Sequence, residues 1–186
     1  RNDTAPEIVI PRESAPERVT FDFTEGLVAA RRGDRDTLAA ARARLSVDRR
    51  DLAAHVESQP DDDGPATLER AAILELELEG LEARLAGNPA TAIAKLEEAV
   101  RKEEALPLMF GPPFIDQPSH ELLGELLLEQ GRGRDAMAAY EKALARTPGR
   151  VAALSGLARA CEQAGDSKRA AELKDRLLAL RPPRRD

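Results

Sequence analysis

The chain is expected to fold as an all-α protein in which helix–turn–helix pairs stack into a solenoid. Three observations predict this. Aromatic residues are only 3% of the chain and Trp is absent, while apolar residues reach 42% largely through Ala and Leu, which form helices more readily than strands. Sliding the C-terminal half along itself by 34 residues brings Leu123-Gly124 onto Leu157-Ala158, Gly131 onto Gly165, Ala136 onto Ala170, Leu144 onto Leu178 and Pro148 onto Pro182; a fixed period of this size marks a repeat architecture. Between these markers, Leu122, Leu123, Leu126 and Leu127 form an apolar stripe at helical spacing, and Ala136, Ala139, Tyr140, Ala143 and Leu144 form a second. A length of 186 residues allows one domain or at most two small ones, at roughly 100–200 residues each.

Taken in order, residues 1–18 read as an extended arm, because Pro6, Pro11 and Pro16 recur every five residues around Ile8-Val9-Ile10 and forbid a continuing helix. Ile8 to Ile10 either add to a neighbour as a short strand or lie on the first helix. Residues 19–58 form a divergent first pair, with helices near 20–32 and 34–57 marked by Gly26, Gly33 and Leu45. Gly64-Pro65 opens the second pair, 64–105, which carries Gly80, Ala83, Gly87, Ala92, Leu96 and Ala99, with Asn88 as cap and Pro89 as first helical residue. The third and fourth pairs cover 118–148 and 149–181, and 182–186 is a tail. Small Gly124 and Ala158 let paired helices approach closely, whereas Gly131 and Gly165 supply the left-handed residue that ends a first helix. Pro148 and Pro182 stop the second helices.

One interval breaks the period, since Ala92 and Ala136 lie 44 residues apart. The extra residues fall at 106–117, where Leu106, Pro107, Leu108, Met109, Phe110, Pro112, Pro113, Phe114 and Ile115 make an apolar, proline-stiffened loop. Loops normally run over the surface, so this one needs somewhere to bury itself. Two expectations stay open: Met109, Phe110, Phe114 and Ile115 fold back as an internal plug, or they stand exposed as an apolar anchor for a partner.

Residues 117–150, with Leu123, Gly124, Gly131, Ala136, Tyr140, Ala143 and Pro148, resemble the tetratricopeptide repeat. Residues 151–184 resemble it through Leu157, Ala158, Gly165, Ala170 and Pro182, with Lys174 in place of the usual aromatic and Leu177 in place of Ala. The departures suit an end repeat, whose outer face has no neighbour. The Pro-rich insert ahead of a Leu-Gly helix is similar to a bacterial subgroup of these proteins, and 23 Arg against 5 Lys fits a GC-rich source. The resemblance implies a right-handed α-solenoid of about four pairs with a concave face lined by the first helix of each pair. It nominates Phe23 and Leu27 in the first pair, Glu77, Leu81 and Arg84 in the second, Glu121, Glu125 and Leu128 in the third, and Ser155, Arg159 and Glu162 in the fourth. Lys, Arg and Asn, which clamp a terminal carboxylate in some family members, are largely absent there. A groove mixing Leu with Glu is expected to take an apolar segment with basic flanks, unless the acids are only a solvated face.

The chemistry-bearing residues are few. His55 and His120 lie far apart, and Cys161 stands alone with no Ser/His/Asp or Cys/His motif around it. His120 is read as a half-exposed packing or capping residue beside the insert, with a place among the partner-binding candidates, and Cys161 as a small core residue. Asp61-Asp62-Asp63-Gly64 lacks the alternating ligands and terminal Glu of a calcium loop; Gly131-Arg132-Gly133-Arg134 lacks the preceding strand and following Lys-Ser/Thr of a phosphate loop. No catalytic residue, cofactor or metal is expected. An enzyme or metal site would have to be built around His120.

The excess of acids, 34 against 28 bases, has the wrong sign for gripping a phosphate backbone, so nucleic acid is not an expected partner. No apolar run approaches the ~18 residues of a membrane span, and Arg1 to Thr4 hold no hydrophobic signal core. The chain is expected to be soluble, and because it begins without Met it reads equally as a cytoplasmic chain or one whose export signal has been removed. The expected role is a non-catalytic scaffold or adaptor for another protein. The alternative is a structural subunit or the C-terminal array of a larger, self-associating assembly.

Overall fold

The computed structural model describes residues 14–58, 63–107 and 117–180. Among them are eight helices and no strand: α1 (Ala15–Arg32), α2 (Arg35–Ser58), α3 (Gly64–Leu85), α4 (Pro89–Ala105), α5 (Ser119–Glu129), α6 (Gly133–Arg146), α7 (Val151–Ala164) and α8 (Ser167–Ala179). Each packs most closely on its chain neighbours, and the odd-numbered helices also touch one another from α1 to α3, α3 to α5 and α5 to α7. The result is an all-α solenoid of helix pairs.

A single turn recurs four times. Gly33, Gly87, Gly131 and Gly165 all take the left-handed conformation, with φ of 73°, 81°, 71° and 84°. The residue after each glycine donates its N–H back five residues, from Asp34 to Ala29, Asn88 to Ala83, Arg132 to Leu127 and Asp166 to Cys161, at 2.8–2.9 Å. This hydrogen bond satisfies a helix-end carbonyl and reverses the chain. The following helix then starts within two residues, so the turn sets the pairing of α1 with α2, α3 with α4, α5 with α6 and α7 with α8.

Small residues let neighbouring helices approach closely, both within pairs and between them. An added Cβ would come within 2.9 Å of Leu78 at Gly26, 2.9 Å of Leu96 at Gly80, 2.8 Å of the Tyr140 ring at Gly124 and 2.2 Å of it at Gly156. Tyr140, 2% exposed, therefore lies between glycines on α5 and α7 and ties the third pair to the fourth. The repeat alignment singled out Gly124 and left Gly156, the tighter of the two, unremarked.

Three local expectations are corrected. Helix α1 begins at Ala15, inside the stretch read as an arm to residue 18, because Ser14 caps it by accepting the N–H of Glu17 and Pro16 sits in the first turn, where a missing N–H costs nothing. The Ser14-x-x-Glu17 spacing of a capping box was the available signal. Asn88 precedes α4 as expected, but its side chain makes no cap hydrogen bond. The period also breaks twice rather than once: α2 and α3 run to 24 and 22 residues, against 14 for α6 and α7. The two helices pack on one another and are joined by Arg42–Glu82 at 2.7 Å and by Arg49–Glu75. Residues 1–13, including Ile8 to Ile10, and the tail after Leu180 lie outside the described residues.

Gly156→Ala is expected to force the Tyr140 ring out of its place and to cost about 2 kcal/mol by overpacking, which at this chain length lowers Tm by about 4–8 °C. Gly149→Ala, where an added Cβ meets nothing within 4 Å, should leave Tm unchanged; differential scanning calorimetry of the two variants checks the contrast.

Candidate partner-binding surface

The odd-numbered helices lie side by side, so their outward positions share one face. Arg31 ends α1, Arg84 ends α3, Glu125 and Glu129 occupy the last turns of α5, and Ser155, Arg159 and Glu162 follow along α7. Arg84 donates to both carboxylate oxygens of Glu129, through Nε at 2.8 Å. Arg31 donates to Gln117 Oε1 at 2.6 Å, and Gln117 Nε2 donates to Glu125 Oε1 at 3.2 Å. Gln117, 4% exposed, thus bridges the end of α1 to the middle of α5. Burial raises the Glu125 carboxyl above its ordinary range, against the pull of Arg31 and Arg84. Ser155 and Arg159 are exposed, and Glu162 is exposed while paired with Lys174 of α8.

Other residues nominated for this face are placed inside. Phe23, Leu81 and Leu128 are buried in the apolar core, and Leu27 is half-buried against it. Glu77 is completely buried; Glu121 and His120 are each 2% exposed. The reading of the acids as a solvated or partner-facing row is therefore corrected for Glu77 and Glu121, and the half-exposed reading is corrected for His120. The cause is local. After the insert, α5 starts against α3 and α4 and sinks its first turn, Ser119-His120-Glu121, into their junction.

That junction is a network of polar groups. Ser119 Oγ donates to Glu77 Oε1 at 2.7 Å, and the Ser119 N–H donates to Glu103 Oε2 of α4 at 2.8 Å. His120 Nε2 lies 3.1 Å from Glu104 Oε1, which also accepts from Lys142 of α6 at 3.0 Å. A carboxylate only accepts, so Nε2 carries the hydrogen and Nδ1 is a bare acceptor. Glu121 Oε1 accepts from Arg150 Nε at 2.5 Å, which joins α5 to the start of α7. Hydrogen bonding to Lys142, with further help from His120, holds Glu104 below its usual range, whereas burial pushes Glu121 up against the pull of Arg150. Acids at the start of α5 also meet the positive end of its dipole. Sequence patterns alone did not reveal this cluster, because Glu77, Glu103 and Ser119 come from separate elements; the only cue was the clustering of Ser, His and Glu directly after the insert.

The remaining candidates divide as follows. Met109, Phe110, Phe114 and Ile115 lie outside the described residues. His55 is exposed at the end of α2, and Cys161 is fully buried, with burial raising its thiol pKa. Gly131 and Arg132 lie in the turn between α5 and α6, and Gly133 and Arg134 begin α6. Among the described residues no group of three or more His, Cys, Asp or Glu is arranged to hold a metal, and no helix is long and apolar enough to cross a membrane.

Arg150→Met keeps the packing but strands the buried Glu121 carboxylate, with an expected cost of about 2–3 kcal/mol near neutral pH. The loss should shrink as pH falls and Glu121 takes a proton, and Glu121→Gln added to Arg150→Met should restore most of it. Urea unfolding of the two single variants and the double variant measures this coupling.

No curated protein matches the chain. Residues 122–184 match the family model of the tetratricopeptide repeat, which spans α5 to the end of α8 and includes the Gly124–Tyr140 contact and two of the four glycine turns. Residues 122–184 thus form tetratricopeptide repeats, and the first two pairs repeat the same turn geometry.

Proposed function

We propose that the protein is a non-catalytic scaffold that binds another protein along the shared face of α1, α3, α5 and α7. Tetratricopeptide repeats generally mediate protein–protein interaction. The observation that carries the reading here is the contrast between that face and the core: apolar positions are buried, while Arg31, Ser155, Arg159, Glu129 and Glu162 stay exposed across three of the four pairs. Arg159 makes no hydrogen bond or ion pair with the described residues, so it is the charge on this face most readily offered to a partner. The acids expected to select basic flanks are largely engaged, Glu77 by Ser119, Glu121 by Arg150 and Glu125 by Gln117. That leaves the basic-flank preference without its physical basis, and the partner is proposed only as a protein or peptide segment.

A photo-crosslinking amino acid placed at Arg159 or Ser155 should capture one protein from the native organism in stoichiometric yield, whereas the same group at Glu141, on α6, should capture none. Equal capture from both sides, or from neither, would remove the proposal. Phe110→Ala/Phe114→Ala, checked for unchanged Tm, tests the insert within the same assay: lost capture makes it the anchor, and retained capture leaves the helical face as the site.

A specific observation also favours the structural alternative. Leu178 near the end of α8 and Leu180 just after it are 59% and 51% exposed. Such a surface can be covered by a second copy. Sedimentation velocity across a hundredfold concentration range is expected to show concentration-dependent association under this reading, and Leu178→Ser/Leu180→Ser should abolish it.

A further inference from the structure

The junction of α3, α4 and α5 contains a feature that partner binding does not use. Glu77 is fully buried on α3, yet only one of its two oxygens has a partner: Oε1 accepts from Ser119, and Oε2 has none. On the residue after Ser119, His120 Nδ1 is likewise buried and unpartnered. Both lie where the insert interrupts the repeat, and where α3 and α5 meet more narrowly than α1 with α3 or α5 with α7. A buried carboxylate with a single hydrogen bond is costly, whereas the neutral acid keeps the Ser119 bond at its carbonyl oxygen and leaves one O–H unsatisfied.

We propose that the α3–α5 joint is a proton-responsive hinge, closed while Glu77 carries its proton and loosened when the proton is lost. The groups facing Glu77 favour this. Helix α4 offers Glu103, a second acid, and α5 offers Ser119, followed in the same buried turn by His120 and Glu121; the cations bonded in that region are committed elsewhere, Lys142 of α6 to Glu104 and Arg150, just before α7, to Glu121. On the other side of α3, Arg42 and Arg49 of α2 are held by Glu82 and Glu75, and Arg31 of α1 by Gln117. Among the described residues no hydrogen bond or ion pair joins a cation to Glu77. Burial, reinforced by the charge of Glu103 and opposed by the Ser119 hydrogen bond, raises its pKa well above the ordinary carboxyl value. A raised folded-state pKa means that the stabilisation is complete below the ordinary carboxyl range and is lost as pH rises through the folded value. His120 acts in the opposite sense. Burial lowers its pKa, against Glu104 and Glu103, so its contribution is complete above the ordinary histidine value of 6.5 and is lost as pH falls below it. The joint is thus tightest at mildly acidic pH, and its angle sets how the faces of the second and third pairs line up.

The hinge requires no partner, so its test is separate from that of the scaffold. Native-state hydrogen exchange, normalised to intrinsic rates, would be followed from pH 5.5 to pH 9 in the free protein. Protection of the Ser119 and His120 amides is expected to fall at least tenfold, while amides in the middle of α7 stay within about twofold. Glu77→Gln should flatten the fall at α5. A flat profile in the unmodified chain, or an undiminished fall in Glu77→Gln, would overturn the proposal. Should Glu77→Gln fail to fold, the carboxyl carbon shift of Glu77 in the unmodified chain serves instead. Its titration midpoint should coincide with that of the exchange, and a separation of more than one pH unit would overturn the hinge.

Discussion

The fold depends on one backbone event, the left-handed glycine that ends each first helix and lets the next residue donate its N–H back over the turn. Four such glycines, with φ between 71° and 84°, convert a helix-rich composition into pairs. Because the geometry is the same each time, each second helix leaves at the same angle and lies against its own first helix, and the pairs can then stack. Without it, the Ala- and Leu-rich stripes could satisfy themselves in many bundle arrangements. Packing contributes the second constraint: Gly80 and Gly124 let helices within a pair approach, while Gly26 admits Leu78 of α3 against α1 and Gly156 lets the Tyr140 ring pass between two pairs.

Much of this was legible in the sequence for physical reasons. A left-handed residue requires glycine, and a close helix crossing requires a small side chain, so the repeat leaves marks that survive changes elsewhere. Even the divergent first pair kept Gly26 and Gly33. The long span of α2 and the start of α3 at Gly64-Pro65 were legible too. What stayed hidden was anything that depends on contacts between distant elements. The capping by Ser14 was overridden by the expectation that Pro16 breaks a helix, although proline is tolerated in the first turn.

The candidate surface was less legible than the fold, and the difference has one source. Family geometry nominates outward positions on the assumption that every pair meets the next in the same way. At the insert that assumption fails, since α5 approaches α3 and α4 so that Ser119, His120 and Glu121 enter the interior. Glu77 and Glu121 therefore change from groove acids to buried ones, while positions away from the break, such as Ser155 and Arg159 on α7, remain exposed. Burying polar groups is tolerable there because most find a partner from a different helix, Glu121 from α7, His120 from α4 and Ser119 from both α3 and α4.

The start of α5 has a further consequence for the order in which the chain is assembled. Its N-cap position is Pro118, which provides no side-chain acceptor, and the free N–H of Ser119 is taken instead by Glu103 of the preceding helix. An α5 segment leaving the ribosome ahead of a formed α4 would have an open first turn, so nucleation there must wait for its neighbour. The last two pairs are in this respect conditional on the second, which supplies the cap that the start of α5 lacks.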